Sequence, residues 1–389
     1  MIARIVFPVI LGIFLSDFYL YRQHIRRHTA GKSVLSLSWW LPGTLMMAYT
    51  IALALSHHFI PNNVTWLYTY LLLLGILVVP KVLFALCSLV GYALKRCTKG
   101  CRNYGIYMGW ILVAATIYIV LYGSLIGFEK IEVRHVNLYY KQLPPSFEGY
   151  RIVHFSDAHV GTYTGSRQHI LEKAVDSIRS QHANMIVFTG DLQNIQPAEL
   201  APHLQLLSSL RAPDGVYSVL GNHDYSGYMD APPSVKAYNE RKLIQMQRSC
   251  GWNLLLNEHR CIHRGRDSIF IAGEENDGTG RFPAKGDMDK TMRGIPQGAF
   301  TVLLQHDPSA WERHILPHTA VPLTLSGHTH GGQFKLFGWS PVMLQYKENE
   351  GLYHIGDSRI YVTAGLGGVI PFRFGMPGEI VVITLHRQK

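Results

Sequence analysis

Five groups of Asp, His and Asn carry the chemistry available to this chain. In order they are Asp157-Ala-His159, Gly190-Asp191, Gly221-Asn222-His223-Asp224, His306-Asp307-Pro308 and Gly327-His328-Thr-His330-Gly-Gly-Gln333. Carboxylate oxygens, imidazole nitrogens and an amide oxygen form a hard-to-borderline donor set, suited to Mn, Fe, Zn or a similar divalent ion. In Asp157-x-His159, residues two apart on a strand share a face, so both can meet one ion. His328-x-His330 repeats that spacing. Asp191 follows a glycine, which permits a tight turn, and its two carboxylate oxygens can bridge two ions. Such chemistry needs no Cys or Ser nucleophile. No Gly-x-x-x-x-Gly-Lys-Ser/Thr phosphate loop occurs in the sequence.

The elements that must position these residues are legible around them. Apolar runs at 151–156, 185–189, 216–220, 300–305 and 321–326 each end at one of the five groups. Runs of that length bounded by turn residues predict strands buried in a core. Further strands are predicted at 268–272, 359–363 and 379–385. A helix is predicted over 168–181, with Ile170, Leu171, Ala174, Val175 and Ile178 on one face, and a second over 199–210. The expected architecture is an α/β sandwich with its polar loops at the carboxyl ends of strands, where open α/β sheets place ligands. His154 lies at odd spacing from Asp157 and points to the other face, a structural position. Glu274-Glu275-Asn-Asp277 reads as a cleft wall or a solvated loop. Arg373 reads as a phosphate partner or half of a salt bridge. His203, His314, His318 and His354 read as solvated.

The rest of the chain has a different character. Of 389 residues, 48% are hydrophobic and 16% charged, against about 25% charged for an average soluble protein, which excludes disorder. The formal net charge is +10, but residues 1–128 contribute +9 of it and residues 129–389 only +1. A near-neutral remainder argues against a nucleic-acid partner. Four apolar stretches, 5–20, 39–59, 66–94 and 106–128, fill the first third, and about 20 such residues cross a bilayer. The first is short and contains Asp17. No small-x-small cleavage site follows it, so it is expected to remain as a helix. Pro80 is expected to kink the third. Arg22, Arg26, Arg27 and Lys32 follow the first stretch, and Lys95, Arg96, Lys99 and Arg102 follow the third. The intervening loop with His57-His58 has no formal charge. Positive loops face the cytoplasm, which puts the large domain on the non-cytoplasmic side. The expected organisation is a membrane anchor over 1–128, a linker over 129–149 and an α/β domain over 150–389. Five cysteines include no C-x-x-C; Cys250 and Cys261 either pair in an oxidising compartment or stay free.

The five groups, in this order across 150–389, resemble the calcineurin-like metallophosphoesterase family. The form Ser-Gly-His-Thr-His-Gly-Gly-Gln resembles its membrane-anchored YkuE-like branch. The resemblance implies a four-layer α/β/β/α metallophosphoesterase sandwich, here preceded by about four transmembrane helices. It implies two divalent metal ions, one held by Asp157, His159 and His330, the other by Asn222, His306 and His328, with Asp191 bridging. His223 would act as proton donor at the phosphate, with Asp224 orienting it. The implied activity is hydrolysis of a phosphoester or pyrophosphate by metal-activated water, on a small-molecule or lipid-linked substrate, at a bacterial inner membrane. A UDP-2,3-diacylglucosamine pyrophosphatase-like activity is an alternative, although that substrate is cytoplasmic and the charge pattern places the domain outside. A non-catalytic phospholigand-binding module would show a damaged motif, and none is damaged. A transporter with a regulatory hydrolase is the third alternative.

Overall fold

The computed structural model describes residues 3–26, 33–56, 64–100 and 102–388. Arg27, Lys32, His57, His58 and Cys101 lie outside the described residues. The chain divides into two compact units, residues 1–126 and 127–389.

The first unit is helical. Among the described residues, three helices are long and apolar enough to cross a membrane: Val34–Leu55, Val64–Cys97 and Gly105–Gly127. The first stretch also folds as a helix, Ala3–Leu20. Within Val64–Cys97 a π turn spans Leu74–Val78, ending two residues before Pro80. Proline lacks an N–H to donate back along the helix, and a widened turn accommodates that loss. Asp17 is buried and accepts from Lys81 Nζ at 2.8 Å, while Trp39 Nε1 donates to the Asp17 carbonyl at 3.2 Å. An acid in such a setting is stable only with a partner, so this ion pair ties the first helix to the third.

The second unit is built, among the described residues, on twelve strands. Five belong to the first half: β1 (Ile131–Tyr140), β2 (Tyr150–Phe155), β3 (Met185–Phe188), β4 (Val216–Ser218) and β5 (Asn253–Leu254). Seven follow: β6 (Glu258–Arg264), β7 (Asp267–Gly273), β8 (Thr301–Leu304), β9 (Leu323–Ser326), β10 (Gly351–Ile355), β11 (Ser358–Val362) and β12 (Gly378–Arg387). They form two six-stranded sheets, ordered β1-β12-β2-β3-β4-β5 and β10-β11-β9-β8-β7-β6. Residues of both sheets, among them Ile152, Val187, Ile271, Val302, Leu325 and Ile383, make one apolar layer. A second apolar layer joins the first sheet to the helix Gln168–Arg179 through Ile170, Leu171, Ala174, Val175 and Ile178. A third joins the other sheet to Trp311 and Ile315. These layers give the α/β/β/α order.

The segment expected as a linker over 129–149 is a structural element. β1 pairs with β12 in parallel over ten residues, from Ile131–Gly378 to Tyr140–Arg387. Arg134 and His135 interrupt its apolar alternation, which hid the strand from a local reading. The helix expected over 199–210 is instead a 3₁₀ segment, Pro197–His203, followed by one turn, Leu204–Leu207, with Pro202 inside the first. Cys250 and Cys261 are free thiols, the first of them buried.

Candidate metal centre

Parallel pairing aligns the strand ends that carry the polar groups. β2, β3 and β4 are parallel neighbours in one sheet, and β8 and β9 in the other. Their carboxyl ends deliver Asp157, Asp191, Asn222, His306 and His328 to one place. The turns there are sharp. Five of the seven candidate ligands have positive φ: Asp157 (51°), His159 (45°), Asp191 (61°), His328 (73°) and His330 (53°). Each such residue costs on the order of 1–3 kcal/mol and persists where the surroundings enforce it, typically at functional sites. Gly190 has φ of 98°, and a Cβ there would lie 2.5 Å from Gly221 N and 2.9 Å from His306 Nδ1. Only glycine lets those two turns approach.

The candidate ligands converge in three overlapping groups. Asp157, His159 and His330 form one, His159, Asp191 and His223 the next, and Asp191, His306 and His328 the third, with donor atoms within 4.8 Å of one another in each. Asp191 Oδ2 lies 3.6 Å from His159 Nε2 and 3.3 Å from His306 Nε2. Asn222 joins the last group, its Oδ1 facing His328 Nδ1 at 2.7 Å and His306 Nε2 at 3.1 Å. Backbone carbonyls fix the rings. His159 Nδ1 faces Gln193 O at 3.2 Å, His306 Nδ1 faces Thr189 O at 2.7 Å, and His223 Nδ1 faces Asn194 O at 2.6 Å. A carbonyl only accepts, so each Nδ1 carries a hydrogen and each Nε2 is turned toward the cluster.

The donor set fits divalent ions. His159 Nε2 is fully buried, points at the Asp191 carboxylate and has no hydrogen-bond partner; His330 Nδ1 is likewise buried without one, while His330 Nε2 faces Asp157 at 3.5 Å. Buried orphan nitrogens of this kind call for an explanation. The electrostatics agree. Burial pushes His159 well below the ordinary imidazole range, His223 adding to it, and pushes His330 down to about 4. Burial alone would raise Asp191, but His306, His223 and His159 hold it well below the usual carboxylate range. Burial alone would lower His306, but the Asp191 carboxylate raises it to about 10.

Several residues differ from the sequence reading. The Asp224 carboxylate does not meet the His223 ring. It accepts from the backbone N–H groups of Asp191, Leu192 and Gly221, each at 2.9 Å, and of Gln193 at 3.3 Å. Its place is under the Asp191 turn, and Asn194 O orients His223 instead. Arg373 is neither a phosphate partner nor part of a salt bridge. Its buried guanidinium donates to five carbonyls, those of Ala364, Gly365, Gly367, Met376 and Pro377. Glu274 is buried between Gln305 Nε2 (2.8 Å) and His314 Nε2 (2.9 Å) rather than solvated. His203 is buried as well. His154 agrees with its reading as a structural residue, its Nε2 meeting Thr189 Oγ1 at 2.8 Å in the buried interior.

Three residues had no signal in the sequence. Tyr346 Oη meets His328 Nε2 at 2.8 Å. Tyr228 Oη accepts from Asn222 Nδ2 at 2.8 Å, and its ring stacks on His223 at 4.1 Å. Glu199 accepts from the N–H groups of Asn194, Ile195 and Gln196 at 2.6, 3.0 and 3.2 Å, fixing the loop whose carbonyl holds His223.

A two-sheet sandwich with an Asp/His/Asn cluster across its strand ends defines a metallophosphoesterase-type site. Residues 150–332 match the family model described as "Calcineurin-like phosphoesterase", and residues 3–128 match that described as "Probable Calcineurin-like phosphoesterase, transmembrane domain". The "Uncharacterized metallophosphoesterase YkuE" of Bacillus subtilis is 33% identical over 275 residues, covering 68% of this chain and 88% of that protein. A "Transmembrane protein with metallophosphoesterase domain" from Danio rerio is 28% identical, covering 70% of this chain and 61% of its own length. An "Uncharacterized metallophosphoesterase" of Helicobacter pylori (strain J99) is 27% identical, covering 74% and 72%. The chain belongs to the calcineurin-like phosphoesterase family. It is a membrane-associated metallophosphoesterase, a hydrolase that works with divalent metal.

Proposed function

We propose that this protein hydrolyses phosphoester or pyrophosphate bonds with two divalent ions at one centre. Asp157, His159 and His330 would hold the first ion and Asn222, His306 and His328 the second, with Asp191 placed to serve both. The observation that carries this reading is the Asp191 carboxylate between His159 and His306, a member of two of the three donor groups. When bound, such ions polarise phosphoryl oxygens and make water nucleophilic at neutral pH. Mn, Fe and Zn all suit the donors.

The chain's own residues supply the rest. His223 Nδ1 is committed to Asn194 O, so Nε2 is the nitrogen that holds and delivers a proton. Stacking on Tyr228 and an edge contact with His159, at 4.8 Å between ring centroids, fix the direction of that nitrogen. A proton delivered there neutralises the departing oxygen, which matters most for a poor leaving group. The near-neutral charge of this unit leaves the field at the site to the bound cations. The basic residues Lys95, Arg96, Lys99 and Arg102 support a cytoplasmic loop and a catalytic unit on the opposite side of a bacterial inner membrane.

The test is Asp191→Ala in the full-length protein. Hydrolysis of a generic aryl phosphodiester with added Mn or Zn is lost while thermal unfolding stays cooperative. Undiminished turnover by the folded variant overturns the reading.

A further inference from the structure

Between His330 and Tyr346 the chain leaves the metal centre, makes an apolar excursion and returns. Leu336 and Trp339 exchange backbone hydrogen bonds at 2.9 and 3.0 Å, closing a two-residue turn on Phe337 and Gly338. Both turn residues have positive φ, 50° and 81°. That geometry favours Asn, Asp or Gly, and a bulky aromatic residue there is strained. The same Phe337 is 98% exposed. Beyond it, Trp339 is 50% exposed and the short 3₁₀ turn Pro341–Leu344 presents Met343 and Leu344, the latter 81% exposed. Neither the strain nor the exposed apolar area is explained by folding in water. Clustered exposed apolar side chains mark an interaction surface.

The base of the excursion is rigid. Lys335 N donates to Phe374 O at 2.7 Å, and Phe374 N donates to Gln333 O at 2.9 Å. Ser340 Oγ donates to Gly331 O at 2.9 Å. Tyr346 N donates to Val342 O at 2.9 Å, and its hydroxyl meets His328. The apolar tip is therefore built onto the turn that presents His328 and His330.

We propose that this excursion, carrying Phe337, Trp339, Met343 and Leu344, inserts into the lipid headgroup–acyl boundary. The occupant follows from the chain itself. The last apolar helix ends at Gly127 and β1 begins at Ile131. Three intervening residues reach only about 10 Å, so this unit remains beside a bilayer. A Trp and a Phe with Leu and Met form the composition that settles at a membrane interface. Insertion holds the metal centre at headgroup height and favours phosphate esters carried by amphiphiles. That consequence for substrates rests on the hydrolytic reading, whereas the surface itself does not.

The experiment uses the full chain with its native cysteines replaced by serine, reconstituted in phosphatidylethanolamine–phosphatidylglycerol vesicles. A nitroxide is attached at Phe337→Cys, with Arg179→Cys as the exposed control. The label at 337 is expected to be accessible to oxygen and shielded from a water-soluble nickel chelate, while the label at 179 meets both. Nickel access at 337 equal to the control overturns the proposal. Shielding from both reagents also overturns it, because it means burial against protein. In a second arm, the double variant Phe337→Asp, Leu344→Asp keeps its turnover of a soluble aryl phosphodiester. It loses about tenfold toward a vesicle-embedded one, equivalent to about 1.4 kcal/mol. Equal loss on both substrates contradicts the proposal. A wild-type protein inactive on either substrate contradicts the hydrolytic reading and leaves the depth measurement to decide the surface.

Discussion

The hydroxyl of Tyr346 lies 2.8 Å from Nε2 of His328, on the opposite side of the ring from Nδ1, which faces Asn222. A ring nitrogen that faces a metal is commonly steadied by a hydrogen bond at its other nitrogen, and removing that partner costs roughly 10–100-fold in metal affinity. Tyr346→Phe keeps the ring and removes only the hydroxyl. Titration calorimetry with Mn or Zn is expected to show about tenfold weaker binding at one of two sites, with the melting temperature unchanged. Identical affinity at both sites would show that Tyr346 does not position His328.

Asp224 caps four backbone amides of the 190–193 and 221 turns. Asp224→Asn turns an NH₂ group toward one of those N–H donors and costs about 1–3 kcal/mol. The damage falls on the Asp191 turn, so metal occupancy drops. Turnover per bound metal stays the same, because the Asp224 carboxylate holds backbone amides and the His223 ring is held by Asn194 O. A fall in turnover at full metal occupancy would restore Asp224 as the partner of the His223 ring.

With His306 as a ligand of the proposed centre, proton and metal compete at its ring. Burial lowers it, but Asp191 raises it to about 10, so without metal its imidazole is charged at neutral pH. A ligating imidazole must be neutral. Apparent metal affinity therefore rises with pH between 7 and 10, and binding releases a proton. Calorimetry in two buffers of different ionisation enthalpy measures that release. The metal-free protein behaves oppositely. A raised imidazole pKa stabilises the fold fully below the unfolded value of 6.5, and that stabilisation fades as pH climbs through about 10. Its melting temperature falls over this range.

Arg373→Met leaves five carbonyls without their donor. The expected loss is on the order of 3 kcal/mol of stability, read as a lower denaturant midpoint. KM for a small phosphodiester stays the same in the fraction that remains folded. A raised KM at unchanged stability would return Arg373 to the phosphate.

The cluster was legible because its signals are local. Asp157, Asp191, Asn222, His306 and His328 each terminate an apolar run, and strand ends in parallel register place them together. What escaped the sequence depends on distant partners. β1 is recognisable only beside β12, since Arg134 and His135 break its pattern and its pairing spans the whole domain. Tyr228 and Tyr346 sit in loops, where no periodicity reveals that a hydroxyl faces Asn222 or His328. Arg373 binds backbone carbonyls, and sequence offers only side chains as candidate partners. Asp224 follows His223 directly, and adjacency suggested a pairing that the turn geometry turns the other way.

The Asp191 carboxylate lies between His159 and His306, and counting metal tests most directly the proposal that it joins two ions. Elemental analysis of the full-length protein, purified and reloaded with Mn or Zn, is expected to give two ions per wild-type chain and fewer than two for Asp191→Ala of the same melting behaviour. One ion in the wild type, or two retained by Asp191→Ala, would contradict a centre in which Asp191 joins two ions.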